Sequence, residues 1–131
     1  MGAWSHEPFG NDDAGDWLSG LGQAKDLSAI ENALNAVTDE AEEYLEAPQC
    51  SSALAAAEVV AALLGKPNPA LPEEAVSWVK GKPSPPSNVV AKAKSAVAAV
   101  LDSSELQELW AESEDYPQWQ AITKDLLGRL G

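Results

Sequence analysis

One stretch near the middle of the chain constrains the fold more than any other. Residues 51–64 read SSALAAAEVVAALL, so Glu58 is their only charged side chain and the rest are small or apolar. A helix that is apolar on almost every face must be covered by other elements on all sides. We therefore expect residues 51–64 to form a central buried helix, which ends at the glycine and prolines of residues 65–69.

Apolar residues elsewhere recur at helical spacing. One such set steps by three or four positions and predicts a single long helix; it comprises Leu27, Ile30, Leu34, Val37, Ala41 and Leu45. Ser28 and Glu31 have the spacing of a capping box at the start of this helix, and Pro48 marks its end.

Further helices are predicted after Pro72, over residues 89–101, after a cap at residues 102–104, and from Pro117 onward. No segment alternates as a strand does. The predicted fold is therefore all-α: a single compact domain over residues 1–131 with about six or seven helices.

The first residues are too irregular for a plain helix. Trp4 and Phe9 lie among glycines and a proline, which predicts a loop whose rings anchor it across the rest of the fold. A short helix follows, with Asn11 as its N-cap and Asp12 and Asp13 in its first turn, where the helix dipole favours carboxylates. Trp17 belongs to the apolar stripe of this helix.

Three segments resemble a known bacterial family. The chain opens with MGAW and continues with PFGNDDAGDWL at residues 8–18; residues 53–67 and 103–130 extend the likeness nearly end to end. These motifs are similar to those of domain of unknown function 4259, although Ser5 and Gly15 depart from the family's usual residues. The resemblance implies a small, soluble, helical bacterial protein and implies no activity.

The charge balance narrows the classes of partner. The chain carries 21 acidic and 8 basic residues, a net charge of −13. Nucleic acids and anionic membranes need a basic face, so neither is expected as a partner, whereas a basic protein or a cation is compatible. The sequence shows no signal-peptide pattern and no apolar stretch of membrane-spanning length, which predicts a cytoplasmic location. A single cysteine, Cys50, excludes an internal disulfide and a zinc cluster of thiolates.

Glu58 is the sharpest candidate for a special role. A buried carboxylate must be paired, hydrogen-bonded or protonated. We expect Glu58 to be buried and to pin the N-terminal segment, with backbone N–H groups of residues 2–6, the Trp4 indole or His6 as donors. The alternatives are a carboxylate of perturbed pKa at a functional site and a side chain that points to solvent.

The sequence contains no complete catalytic constellation and no cofactor motif, and neither a cofactor nor a metal is expected. The leading hypothesis is a non-enzymatic cytoplasmic protein that acts by interaction or regulation through an unknown protein partner. The alternative is a small-ligand or divalent-metal site in which Asp12, Asp13, Asp16 and Glu58 supply oxygen ligands beside Trp4, His6 and Trp17. For the aspartates, helix-start electrostatics is the preferred explanation.

Overall fold

In a computed structural model, the described residues are 12–21, 27–39, 45–68, 73–80, 82, 84–102 and 104–130, and the side chains of 12–15, 48 and 74 are not among them. These residues form seven helices and no strand. In chain order they are α1 (Asp12–Leu21), α2 (Ser28–Thr38), α3 (Ala47–Leu63), α4 (Glu73–Val79), α5 (Ser87–Asp102), α6 (Glu105–Ala111) and α7 (Tyr116–Arg129). The all-α prediction is confirmed. The N-terminal loop predicted to pack across the helices lies outside the described residues.

Helix α3 is the centre of the fold, as its composition predicts. Residues 53–61 are all buried, and α3 contacts each of the other six described helices. Small side chains on α3 let those neighbours approach closely. The second apolar helix, α5, packs on α2, α3 and α7 and buries Ala93, Ala96, Val97 and Val100.

The predicted long helix over residues 27–45 is wrong. Helix α2 ends at Thr38, and Leu45 and Glu46 are not helical. Leu45 is buried all the same, and its carbonyl accepts a hydrogen bond of 2.8 Å from the Glu105 backbone N–H. Burial accounts for its apolar character, and helical spacing alone cannot distinguish such a residue from a continued stripe.

Two helix starts also differ from prediction. Pro48 lies in the first turn of α3, which begins at Ala47 rather than at residue 51. A proline is tolerated there because first-turn N–H groups have no partner within the helix. The predicted capping box at Ser28 does not form, since the N-cap of α2 is Leu27 and no side chain caps it.

Two other helix starts follow their sequence signals. Ser104 is the N-cap of α6, where its hydroxyl accepts a hydrogen bond of 3.0 Å from the Gln107 backbone N–H. Pro117 lies in the first turn of α7.

The first three helices create the main surface feature of the fold. Helices α1 and α2 both pack extensively on α3 but contact each other only slightly. A groove therefore remains between α1 and α2, with α3 at its floor. None of the helices in the described part of the chain is long and apolar enough to span a bilayer.

Candidate functional site

Glu58 is fully buried on α3, with 0% of its surface exposed. Its partner is Arg129 at the end of α7, the only arginine in the sequence. Arg129 Nη1 donates to Glu58 Oε1 at 2.8 Å and Nη2 donates to Oε2 at 3.0 Å. This two-point contact is the strongest form of an arginine–carboxylate pair.

Further hydrogen bonds complete the surroundings of the ion pair. Asn68 Nδ2 donates to Glu58 Oε2 at 3.1 Å. Arg129 also donates to the Lys66 carbonyl at 3.1 Å and, through Nε, to Asp125 at 2.8 Å. The hydrogen bonds from Arg129 to the Glu58 carboxylate hold the pKa of the guanidinium above its ordinary value. The network joins α3, the segment that follows it, and α7.

The prediction that Glu58 is buried is therefore confirmed, but its described donors were not anticipated. Residues 2–6, which include Trp4 and His6, lie outside the described residues, so their predicted hydrogen bonds to Glu58 stay a prediction. The signal for Arg129 was present in the sequence. Arg129 follows Leu126 by three positions, which places the only arginine beside the buried stripe of the last helix.

The groove between α1 and α2 contains the other two described candidates, Asp16 and Trp17. It is open to solvent, encloses about 530 Å³ and is lined mostly by apolar surface. The lining residues are Asp16, Trp17, Gly20, Leu21, Ala29, Asn32, Ala33, Ala36, Gln49 and Ser52.

Small side chains among the described residues leave room for the groove. Ala29, Ala33 and Ala36 line the α2 side, and a Cβ atom built on Gly20 of α1 would meet no atom within 4 Å. The Trp17 indole N–H donates to the Ala29 carbonyl at 3.3 Å and so ties α1 to α2 beside the opening.

Gln49 is the unusual polar residue of the groove. Its Oε1 atom is shielded from solvent, yet no donor among the described residues reaches it. A buried acceptor without a donor costs about 1–3 kcal/mol, so folded proteins seldom retain one without a compensating role. Neither Gln49 nor Ser52 was anticipated, because a polar residue early in a helix carries no sequence signal for a site.

Asp16 and Glu58 do not share a site. Asp16 is exposed at the groove, whereas Glu58 is bound to Arg129 and is absent from the groove lining. Glu58 follows Gln49 by nine positions, which is about half a turn around the helix at roughly 100° per residue. Within the described ranges, no three His, Cys, Asp or Glu residues form a group that could hold a metal ion. The Asp12 and Asp13 side chains lie outside those ranges.

Cys50 has no features of a reactive thiol. It is completely buried, and burial raises its pKa to about 11, against smaller lowering effects from hydrogen bonds with Ser104 and Leu106. The thiolate, which is the nucleophile and the metal ligand, is thereby disfavoured at neutral pH.

The comparisons with known proteins identify a family and no activity. Residues 2–122 match the family model described as "Domain of unknown function (DUF4259)". A search of the curated proteins and a search of the solved structures each gave no significant match. The match covers most of the chain and agrees with the likeness of its N-terminal and helical motifs, and the chain therefore belongs to the DUF4259 family.

Proposed function

We propose that this protein is a non-enzymatic interaction or regulatory protein of the bacterial cytoplasm, and that it binds a basic segment of a partner protein in the groove between α1 and α2. The observation that carries this proposal is the groove itself, in which Asp16 is the charged side chain among the described lining residues.

Charge supports a basic occupant. Asp16 is the only charged side chain among the described residues that line the groove, and none of them is basic. The whole chain has a net charge of −13, which attracts a basic segment over longer distances and repels an acidic one.

Shape supports a protein partner over a small ligand. Pockets for small ligands typically enclose 70–90% or more of the ligand. This groove is open along the surface, so an occupant would need further surface of its own to cover the exposed side. A protein segment has that surface.

The metal-dependent alternative receives less support. Its four carboxylates were Asp12, Asp13, Asp16 and Glu58, and the Glu58 carboxylate is engaged by Arg129 and Asn68 away from the groove. No observation on the described residues favours a cation there over the structural role of each carboxylate.

A groove-filling variant tests the proposal. The probe is a fluorescein-labelled ten-residue peptide that contains lysines and arginines, and its binding is followed by fluorescence anisotropy. Ala36→Leu places extra methyl groups in the groove, whereas Ala121→Leu adds the same atoms at an exposed position of α7.

We expect Ala36→Leu to weaken peptide binding about tenfold, which is about 1.4 kcal/mol, and Ala121→Leu to leave it unchanged. Equal affinity of both variants for the peptide would show that only the overall negative charge attracts it. That result, or no binding to the wild-type chain, would refute the proposal.

A further inference from the structure

We infer that the partner segment bound in the groove between α1 and α2 is an amphipathic α-helix rather than an extended chain. Small or apolar residues of this helix face the groove, and its basic residues lie on the side of Asp16. This inference rests on the proposed function and specifies the conformation of the bound segment. It follows from the spacing of the described lining residues, from the state of their backbone, and from their size and charge.

The lining residues of α1 and α2 follow the helical repeat. They are Asp16, Trp17, Gly20 and Leu21 on α1 and Ala29, Asn32, Ala33 and Ala36 on α2. Residues at this spacing lie on one face of a helix, so each wall of the groove is a single helical face. From Ala29 to Ala36 the α2 wall rises by about 10 Å, at roughly 1.5 Å per residue. Two turns of a bound helix have the same length and would place one face of that helix against the walls.

The backbone of the groove favours an occupant that pairs its own polar groups. Every described lining residue lies in α1, α2 or α3, where backbone N–H and C=O groups are used mainly within the helix. These walls therefore lack the row of free backbone groups that a sheet edge offers to an extended peptide. An extended chain would bury its own N–H and C=O groups against a mostly apolar surface, whereas a helix satisfies them internally.

The size and charge of the lining side chains fit a basic amphipathic helix. Ala33 and Ala36 are small, and a Cβ atom built on Gly20 would meet no atom within 4 Å, so a helix can approach both walls closely. Asp16 is exposed, and none of the described lining residues is basic, which favours lysines or arginines on the adjacent side of the bound helix. The open side of the groove leaves the polar face of that helix in water.

The experiment compares three labelled peptides of about fifteen residues, because shorter helices are marginal in water. Two have the same composition of lysine, glutamine, alanine and leucine. In the helical peptide the apolar residues recur at every third or fourth position, whereas in the alternating peptide they occupy every second position, as in a strand. The proline peptide is the helical peptide with a proline at its centre, which breaks the helix. Affinity is measured by fluorescence anisotropy.

Gly20→Leu and Gly128→Leu form a matched pair of variants. Both glycines are exposed within helices, and a Cβ atom built on either would meet no atom within 4 Å, so both variants should fold. Gly20 lines the groove, whereas Gly128 on α7 is absent from its lining. Ala36→Leu fills the groove from the α2 side and repeats the test independently of Gly20.

For the wild-type chain and for Gly128→Leu, we expect the helical peptide to bind at least about tenfold more tightly than the alternating and proline peptides. Gly20→Leu and Ala36→Leu should each weaken the helical peptide about tenfold and remove most of this preference. The backbone carbon NMR shifts of a labelled helical peptide should move to helical values on binding to the wild-type chain.

One result would overturn the inference and leave the proposed function in place. Equal or tighter binding of the alternating peptide, weakened by Gly20→Leu and by Ala36→Leu, would mean that the groove holds a basic segment in an extended form. Insensitivity of every peptide to both groove variants, or no binding of any peptide to the wild-type chain, would instead refute the proposed function and the inference together.

Discussion

Glu58 and Gln49 lie on the same helix, nine residues apart. They differ in whether their side-chain oxygens have hydrogen-bond donors among the described residues. Glu58 is charged and fully buried, and both of its oxygens are bonded to donors from α7 and from Asn68. Gln49 is neutral and half-buried, and its shielded Oε1 atom has no donor among the described residues.

The residue that is more unusual in the sequence therefore need not mark the site. An isolated glutamate in an apolar helix attracts attention because an unpaired buried charge is costly. Arg129 and Asn68 supply donors to both oxygens of the Glu58 carboxylate, so the described contacts of Glu58 are those of a structural residue. Gln49 attracts no attention in the sequence, yet its Oε1 atom has no hydrogen-bond donor among the described residues.

The largest expected effect concerns the ion pair. Arg129→Met should lower the free energy of unfolding by about 3–5 kcal/mol, because Glu58 would remain buried without its charged partner. Urea unfolding of Arg129→Met and of Lys124→Met, an exposed position on the same helix, would measure the difference. A loss below about 1 kcal/mol in Arg129→Met would show that Glu58 does not depend on Arg129.

The double variant Glu58→Met with Arg129→Met sharpens this result. Replacing both charges by apolar groups removes the unpaired charge, so we expect the double variant to be more stable than either single variant. Additive losses in the double variant would mean that the two side chains contribute independently.

The buried Cys50 thiol should make a smaller contribution to the free energy of unfolding, and this contribution changes only at alkaline pH. Its folded-state pKa is about 11 against an ordinary value of 9.0, so the thiol stays protonated in the folded chain while the unfolded chain ionises. The stabilising contribution is complete below pH 9 and is lost as the pH rises to 11; in full it amounts to about 2–3 kcal/mol. As the pH rises from 9 to 11, Cys50→Ala should lose less stability than the wild-type chain, as measured by urea unfolding. Equal losses of stability in Cys50→Ala and in the wild-type chain would contradict the raised pKa of Cys50.

Substitution of Gln49 should change the free energy of unfolding very little or raise it slightly. Gln49→Met removes an acceptor that has no described donor, so the free energy of unfolding should stay the same or rise by up to about 1 kcal/mol. Gln118→Met, at an exposed position of α7, is the control for the substitution itself. A loss of more than 1 kcal/mol in Gln49→Met alone would show that its side chain is a structural contact like Glu58.

The smallest effect is expected from metal ions. Millimolar magnesium or calcium should leave the melting temperature unchanged, because Glu58 is committed to Arg129. A real site would add about 2.7 kcal/mol at a hundredfold excess over Kd. A rise in melting temperature that saturates and disappears in Asp16→Asn would support the metal-dependent alternative instead.

Composition and spacing were sufficient to predict the all-α class, the central helix and the starts of two later helices. The apolar run around Glu58 predicted the central helix, and the Ser104 and Pro117 signals located the starts of α6 and α7. Leu45 is buried although it lies outside α2, and spacing alone cannot distinguish a residue buried in this way from one that continues a helical stripe.

The candidate site was harder to predict from the sequence than the helices were. Trp17 and Asp16 were singled out and do line the groove, but the groove exists because α1 and α2 both pack on α3 with small residues facing each other. That arrangement depends on the tertiary packing of three helices. The partner of Glu58 depended likewise on the fold, which brings residues 71 positions apart into contact.

The most direct test of binding in the groove is a map of the residues that a basic peptide contacts. Proton–nitrogen NMR spectra of the labelled chain, recorded during titration with the basic ten-residue peptide, report separately on the Gln49 side-chain amide, the Trp17 indole N–H and the Arg129 Nε–H. If the peptide binds in the groove, the Gln49 and Trp17 signals should shift while the Arg129 signal stays in place. Shifts at Arg129 with none at Gln49 and Trp17 would contradict it, because they would place binding at the ion pair rather than in the groove.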